Sequence, residues 1–310
     1  MPCRTHVPAD KDFAVCCAVP VDAPGVTIVA RPAGRPGDAA AKFSAKYGQS
    51  VGVVMFDDVF VPHDRVFLAG ETEEGGFLTT SYATHHRHSC IGARAGFGDL
   101  LIGAGALMIE ANGLDAEKHA HIREAMVELI TITESFYACG VASSVYCTKD
   151  PAGSVMPDAV FSNIGKLLLA TKIYDMHRVA HYVSGGLIVA LPGPDEDHNP
   201  ETRASLAAVM GGRPDIPAEQ RAEVARLIED LTVSHEAGWY SVISLHGGGS
   251  PEAMKREIWR NYPVMEKAEL VENLLGRDLV DQGQRVSKQP GRCCATGCEV
   301  PTPSAAESLL

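Results

Sequence analysis

YATHHRHSCIGARAGFGDLLIGAGALMIEANGL, running from Tyr82 to Leu114, decides how this chain is read. Three histidines, a cysteine and two arginines crowd its first half, and the second half turns steadily apolar. Phe97, Leu100, Leu101, Ala104, Leu107, Met108 and Ala111 recur at steps of three and four, the stripe of a helix facing a core. His86 and Cys90 stand four apart, so on a helix they share a face, as a pair of metal ligands or an acid/base pair would. Arg94 falls one further turn along, and the three can line one wall of a pocket.

Working outward, the chain changes character near residue 75. Before it, the apolar runs are short, rich in β-branched residues and bounded by Pro, Gly and Asp: Phe13 to Val19, Val26 to Ala30, Val51 to Phe56 and Arg65 to Leu68. These read as strands, with Arg31 to Asp38 a loop and Cys16 and Cys17 on alternate faces of the first strand. After it the period is helical. One helix covers about 75 to 112, with an interruption left open near its glycines. Others cover about 117 to 147 (Ile122, Met126, Leu129, Ile130, Phe136, Tyr137) and about 157 to 184 (Val160, Ile164, Leu167, Leu168, Met176, Val183). A fourth covers about 217 to 245 (Val224, Leu227, Ile228, Leu231, Trp239, Val242). A last helix starts after Ser250, with Ser as N-cap, Pro251 in the first turn and Glu252 favouring the dipole. Elements of this length suit a bundle. The expected organisation is an α+β chain: a β segment over 1–74, a helical bundle over 75–276 and a tail over 277–310.

Bulk properties narrow the function classes. The formal charge of −12 argues against nucleic acid and anionic membrane surfaces as partners. No unbroken apolar run of the length of a spanning helix is apparent. The start of the chain does not read as a signal peptide, and nine cysteines without one point to a reducing, cytoplasmic setting.

Two glycine sites and a cysteine cluster remain. Gly185 and Gly186 end a helical run, where a C-cap is as natural a reading as a ligand site. His246, Gly247, Gly248, Gly249 and Ser250 lead into a helix N-terminus, where bare backbone N–H groups suit an anion and a plain interhelix turn is the alternative. Cys293, Cys294 and Cys298 lack a fourth ligand at metal-site spacing. Arg87 and Arg94 can be surface charges or cations beside a pocket that holds a thioester or phosphate.

HHRHSCIGARAGFGDLLIGAGAL resembles the central segment of the 4-hydroxybutyryl-CoA dehydratase/vinylacetyl-CoA isomerase branch of the 4-hydroxyphenylacetate 3-hydroxylase flavoprotein family. The resemblance continues through ADKDFAV (Ala9 to Val15), VMFDDVFVPHDRVFLAGE (Val54 to Glu71), TESFYACGVASS (Thr133 to Ser144), SGGLIVALP (Ser184 to Pro192) and SLHGGGSPEA (Ser244 to Ala253). It implies an acyl-CoA-dehydrogenase-like helical bundle, FAD as cofactor, an acyl-CoA or phenolic substrate and a homodimer or homotetramer. It further implies that Gly185 and Gly186, with His246 to Ser250, approach the flavin.

The family is longer on the N-terminal side, where a helical domain supplies cluster cysteines and much of the pocket. Its absence from this sequence leaves a weak or partial FAD site, and a separate N-terminal polypeptide is one expected partner. By the same resemblance the dehydratases carry a cluster cysteine at Ala93, a tyrosine at Cys90, a lysine at Arg94 and glutamates at Val51 and Ile243. Only His86 stands as in the family motif. No iron–sulfur cluster is therefore expected, and dehydration itself is doubtful. The expectation is an FAD-dependent enzyme of the isomerase kind, with His86 and Cys90 catalytic and Arg87 and Arg94 holding substrate. The alternatives are a reduced-flavin phenol hydroxylase, or a non-catalytic subunit that needs a partner.

Overall fold

Short antiparallel ladders open the chain in the computed structural model, which describes residues 8–31, 41–149 and 152–276. β1 (Val15–Cys17), β2 (Val26–Ala30), the single turn α1 (Ser44–Tyr47), β3 (Gly52–Phe56) and β4 (Val66–Ala69) follow one another. β2 pairs with β3 in register from Val26↔Phe56 to Ala30↔Gly52, and β1 pairs with β4. A register shift between Cys16 and Cys17 breaks the simple alternation expected of them, and both are half-buried. Residues 32–38 of the expected loop, the tail and its three cysteines lie outside the described residues.

From Thr72 the chain is helical. α2 (Thr72–Ala111) is one unbroken helix of 40 residues, so the interruption left open near the glycines does not occur. The glycines have a packing reason. A Cβ at Gly98 would lie 2.2 Å from Thr133 Oγ1, and one at Gly105 would lie 3.2 Å from Met126 Sδ. Both neighbours belong to α3 (Ala120–Val145), which approaches α2 closely there because those positions carry no side chain. A small hairpin, β5 (Thr148–Lys149) with β6 (Val155–Met156), leads into α4 (Ala159–Val183). Asp158 caps α4 by accepting the Phe161 N–H at 2.8 Å. The three long helices enclose Ile91, Leu101, Met108, Leu129, Phe136, Leu169, Ile173 and Met176, all fully buried.

α5 (Arg203–Met210), α6 (Ala218–Thr232), α7 (His235–His246), α8 (Pro251–Asn261) and α9 (Val264–Leu274) complete the bundle. One expectation fails here, and the helix expected after Ser250 is followed by another. The helix read over about 217 to 245 is two, because Ser234 leaves helical geometry and caps α7 by accepting the Ala237 N–H at 3.1 Å. Pro263 separates α8 from α9 because it has no N–H to continue the ladder.

The apolar stripes are also narrower than the spacing suggested. Leu100, Leu107, Ile130, Tyr137 and Val242 are exposed, while Phe97, Leu101, Met108, Leu129 and Phe136 are buried. Windows in α2 and α3 are, moreover, apolar enough to cross a membrane by length and composition, although sequence inspection found no such run. Both helices contribute to the core and pack on α4, and α2 buries two arginines.

Candidate functional site

The head of α2 meets the N-terminal half of α4, the end of α7 and the turn that follows it. His86 and Cys90 do share a face, and the Cys90 Sγ lies 3.4 Å from His86 Nδ1. Tyr82, one turn earlier, has its ring 5.8 Å from the His86 ring. Both arginines are buried, not surface charges: Arg87 is 5% and Arg94 6% exposed. Arg87 donates from Nε to the Gly248 carbonyl at 2.9 Å and from Nη1 to Asn163 Oδ1 at 2.7 Å. Arg94 donates from Nε to Ser244 Oγ at 2.6 Å, and its guanidinium carbon sits 3.4 Å from the centroid of the Tyr240 ring.

A third cation completes the cluster. Lys166 on α4 is fully buried, and its Nζ donates to the backbone carbonyl of Ser244. Ser244 thus holds two cations, one on its hydroxyl and one on its carbonyl, while its hydroxyl donates to the Tyr240 carbonyl at 2.6 Å. Burial pushes the Lys166 ammonium down to about 8, with the charges of Arg94 and Arg87 assisting and Cys90 opposing. Burial also lowers the His86 pKa, followed by the neighbouring Lys166, Arg87 and Arg94 charges. These surroundings favour the neutral imidazole over the imidazolium. Burial lowers His88 too, and its Nδ1 is buried without a partner, whereas His85 is exposed.

The Gly247–Gly249 turn touches this cluster. Gly248 and Gly249 have φ of +74° and +108°, a left-handed backbone that disfavours other residues. A Cβ at Gly248 would also stand 2.8 Å from His86 Nδ1, so the glycine lets the turn close over the histidine. Yet the N–H groups of Gly247 and Gly249 are already bonded to the carbonyls of Ile243 and His246. What the turn presents to Arg87 is the Gly248 carbonyl, not a ring of donors. Ser250 caps α8 as expected, accepting from Ala253, and His246 is exposed at the end of α7.

Gly185 and Gly186 are elsewhere. They follow the C-terminus of α4, nineteen residues beyond Lys166, a distance of about 28 Å along the helix. Their N–H groups bond back to Tyr182 and His181, the geometry of a helix C-cap, with open space where each Cβ would be. The structure does not bring this glycine pair to the His86 cluster. Among the described residues no three His, Cys, Asp or Glu side chains converge on a metal-sized site.

Sequence inspection missed Lys166, Asn163 and Tyr240, and gave Ser244 no role. The signal for the first two was present. Asn163 and Lys166 lie three apart on the face of α4 that also carries Val160, Leu169, Ala170 and Ile173, all buried. A lysine on a core stripe calls for a partner or a purpose.

Comparison with known proteins adds a lineage. The model of the family described as 4-hydroxyphenylacetate 3-hydroxylase, C terminal, matches residues 76–276, and its N-terminal counterpart matches residues 1–68. A 4-hydroxybutyryl-CoA dehydratase/vinylacetyl-CoA-Delta-isomerase of Clostridium aminobutyricum is 31% identical over 89% of this chain and 59% of its own. The structure of an oxygen-tolerant archaeal 4-hydroxybutyryl-CoA dehydratase from N. maritimus superimposes with a TM-score of 0.85 at 32% identity, over 94% of this chain and 58% of that one. The oxygenase component of a 4-hydroxyphenylacetate 3-monooxygenase, solved with FAD and 4-hydroxyphenylacetate, shares the fold at a TM-score of 0.77 and 22% identity, over 86% of this chain and 56% of that one. The chain spans little more than half the length of these relatives.

Proposed function

This chain belongs to the 4-hydroxyphenylacetate 3-hydroxylase family, and from that premise we propose that it supplies the proton-transfer wall of an enzyme that isomerises an unsaturated acyl-CoA thioester. The observation that carries the reading is the His86–Cys90 contact on α2, set among three buried cations. The 31% identical relative, whose name joins a dehydratase to a vinylacetyl-CoA isomerase, supports the substrate class.

Isomerisation of a vinylacetyl thioester moves one proton from C2 to C4. It needs a base that is neutral at the start, a donor at the end and a cation to hold the thioester carbonyl as charge develops on it. His86 fills the first two roles, because its surroundings favour the neutral imidazole, the form that takes the substrate proton. Cys90, in contact with Nδ1, orients the ring and is the lesser candidate for proton transfer. Arg94 and Arg87 anchor the substrate. Dehydration is left out of the proposal, because the resemblance puts the dehydratases' reactive side chains at Val51, Cys90, Ala93 and Ile243.

FAD belongs to the proposal only as a partial site. The described residues do not form a diphosphate cradle by themselves, since two N–H groups of the Gly247–Gly249 turn and both of the Gly185–Gly186 pair are engaged within the chain. The steps above involve this chain's own side chains. We further place the bundle at 75–276 and a homo-oligomeric contact on the exposed apolar face of α3, which carries Val127, Ile130, Tyr137 and Val141.

The test compares vinylacetyl-CoA isomerisation with reduced-flavin phenol hydroxylation, in wild type and in His86→Ala. Isomerisation should be present and fall by about 10²- to 10⁴-fold in the variant. Phenol hydroxylation in its place would move the chain to the monooxygenase branch. If neither activity appears, even with the N-terminal portion of a relative supplied, the wall is not catalytic.

A further inference from the structure

His177 is a buried titratable group of α4 that the His86 wall does not use. It lies eleven residues beyond Lys166, about 16 Å along the helix. Its side chain is buried, 7% exposed, and Nε2 has no hydrogen-bond partner. Burial, and after it the charge of His181, pushes its pKa down to about 4, so the ring is uncharged at neutral pH. A buried polar atom left unpaired is unfavourable unless a group from outside the chain completes it. The ring borders a cleft of about 580 Å³ between α4 and the corner where α6 turns into α7. Tyr174 and His181 stand on one side of it, and Thr232, Gly238 and Ser241 on the other. Phe97 partitions this cleft from the wall that carries Arg94, with its ring 6.0 Å from the His177 ring and 4.8 Å from that of Tyr240.

The polar groups of the cleft have one property in common, which is that their hydrogens are already used. The Thr232 hydroxyl donates to the Ile228 carbonyl, so it accepts from His181 Nε2 at 2.8 Å. The Ser241 hydroxyl donates to the Ala237 carbonyl at 2.8 Å. Both hydroxyls still offer a lone pair, and His177 Nε2 offers another when the ring proton sits on Nδ1. Arg178, also on the lining, is exposed and paired with Glu128 and Asp175. Gly238 puts no side chain into the space, and a Cβ there would meet nothing within 4 Å. We propose that this cleft is a second binding site, for a small neutral aromatic molecule that donates a hydrogen bond, of the indole or aniline kind. An uncharged imidazole and a wall of lone pairs give an anion nothing to pair with. The ligand's ring lies against Tyr174, which is exposed and edge-on to His177 at 6.4 Å, and its N–H reaches Nε2 past that ring. A metal ion fits less well: His181 Nε2 is engaged with Thr232, and among the described residues no third ligand joins the two histidines. The site does not depend on the acyl-CoA reading of the His86 wall.

The probes are indole and 1-methylindole, which have the same ring system and differ in the donor N–H. Each is titrated into the full chain by calorimetry near neutral pH. Indole should bind wild type, and 1-methylindole about tenfold more weakly. In His177→Leu, which keeps the position apolar, the two should bind alike. Gly238→Leu, at an exposed helical position with room for the new side chain, should abolish binding of both. Circular dichroism shows whether each variant is folded, and the comparison of the two probes on wild type stands without any variant. No binding of indole up to its solubility limit, or equal affinity of the two probes for wild type, overturns the proposal. So does discrimination that survives in folded His177→Leu, or indole binding unchanged in folded Gly238→Leu. Loss of indole binding in His86→Ala but not in Gly238→Leu would place the probe in the catalytic pocket and remove the second site.

Discussion

Two regions of this molecule bury charge, and they treat it in opposite ways. Where α6 packs against α1 and the segment before α5, an opposite charge or several donors meet each buried charge, although Arg226 Nε has no partner. Arg226 makes two hydrogen bonds to the carboxylate of Asp197, the shorter at 2.8 Å. Asp230, 1% exposed, accepts from the Ser44 hydroxyl at 2.5 Å and from the backbone N–H groups of Ser44 and Phe43 at 2.8 and 3.0 Å. At the head of α2, by contrast, three cations gather with neutral acceptors only. Arg226 and Asp230 are answered by an opposite charge or by several donors from other elements, while Arg87, Arg94 and Lys166 rest on neutral acceptors, with the Glu257 charge near Arg87 alone. Asp230 ties α1 to the bundle with three hydrogen bonds, while Lys166 ties α4 to α7 with one, to the Ser244 carbonyl.

The comparison breaks most visibly at Asp230. Asp230→Ala strands two backbone donors and a buried hydroxyl, and should lower the unfolding free energy by about 4 kcal/mol. A denaturant titration followed by circular dichroism measures it, and a loss under about 1 kcal/mol would mean the region tolerates unanswered charge after all.

Lys166→Met should act in the other direction. Folding lowers the lysine pKa from 10.5 to about 8, so between those values the unfolded chain holds a proton that the folded chain has released. Wild-type stability therefore rises with pH across that window, by roughly 3 kcal/mol at most. The variant lacks this dependence. It should be the more stable protein below pH 8, with its advantage fading toward pH 10.5. Melting curves across that range for both proteins would show it.

The smallest expected effect is at Arg226. Arg226→Lys keeps the charge but loses the fork on Asp197, and about 1 kcal/mol of stability should go with it. Loss of several kcal/mol there would show that geometry, not charge, holds this corner.

These contrasts were only partly legible in the sequence. The short β-branched run of Val26 to Ala30 and the three- and four-residue steps of Phe97, Leu101 and Met108 are local signals, and the elements they mark were found. The break at Ser234 was not, because apolar residues on both sides keep a helical period through it. On the site, His86, Cys90, Arg87 and Arg94 were visible because they are neighbours along one helix. Lys166 was missed through an error of phase. Ile164, Leu167 and Leu168 seemed to mark the core, although they are half-buried and the face of Asn163, Lys166 and Leu169 is turned inward. Two of the relations that define the site, Lys166 with Ser244 and Arg94 with Tyr240, join residues more than seventy positions apart. No local pattern encodes them.

The bare faces of Gly98 and Gly105 act as notches on a rod about 60 Å long. A cylinder lying on flat neighbours can roll about its axis, and a roll of one residue would turn its side chains by about 100°. With Thr133 seated in one notch and Met126 in the other, α2 has a single azimuth. The aim of His86, Arg87, Cys90 and Arg94 is therefore set downstream of them, by positions that carry no side chain.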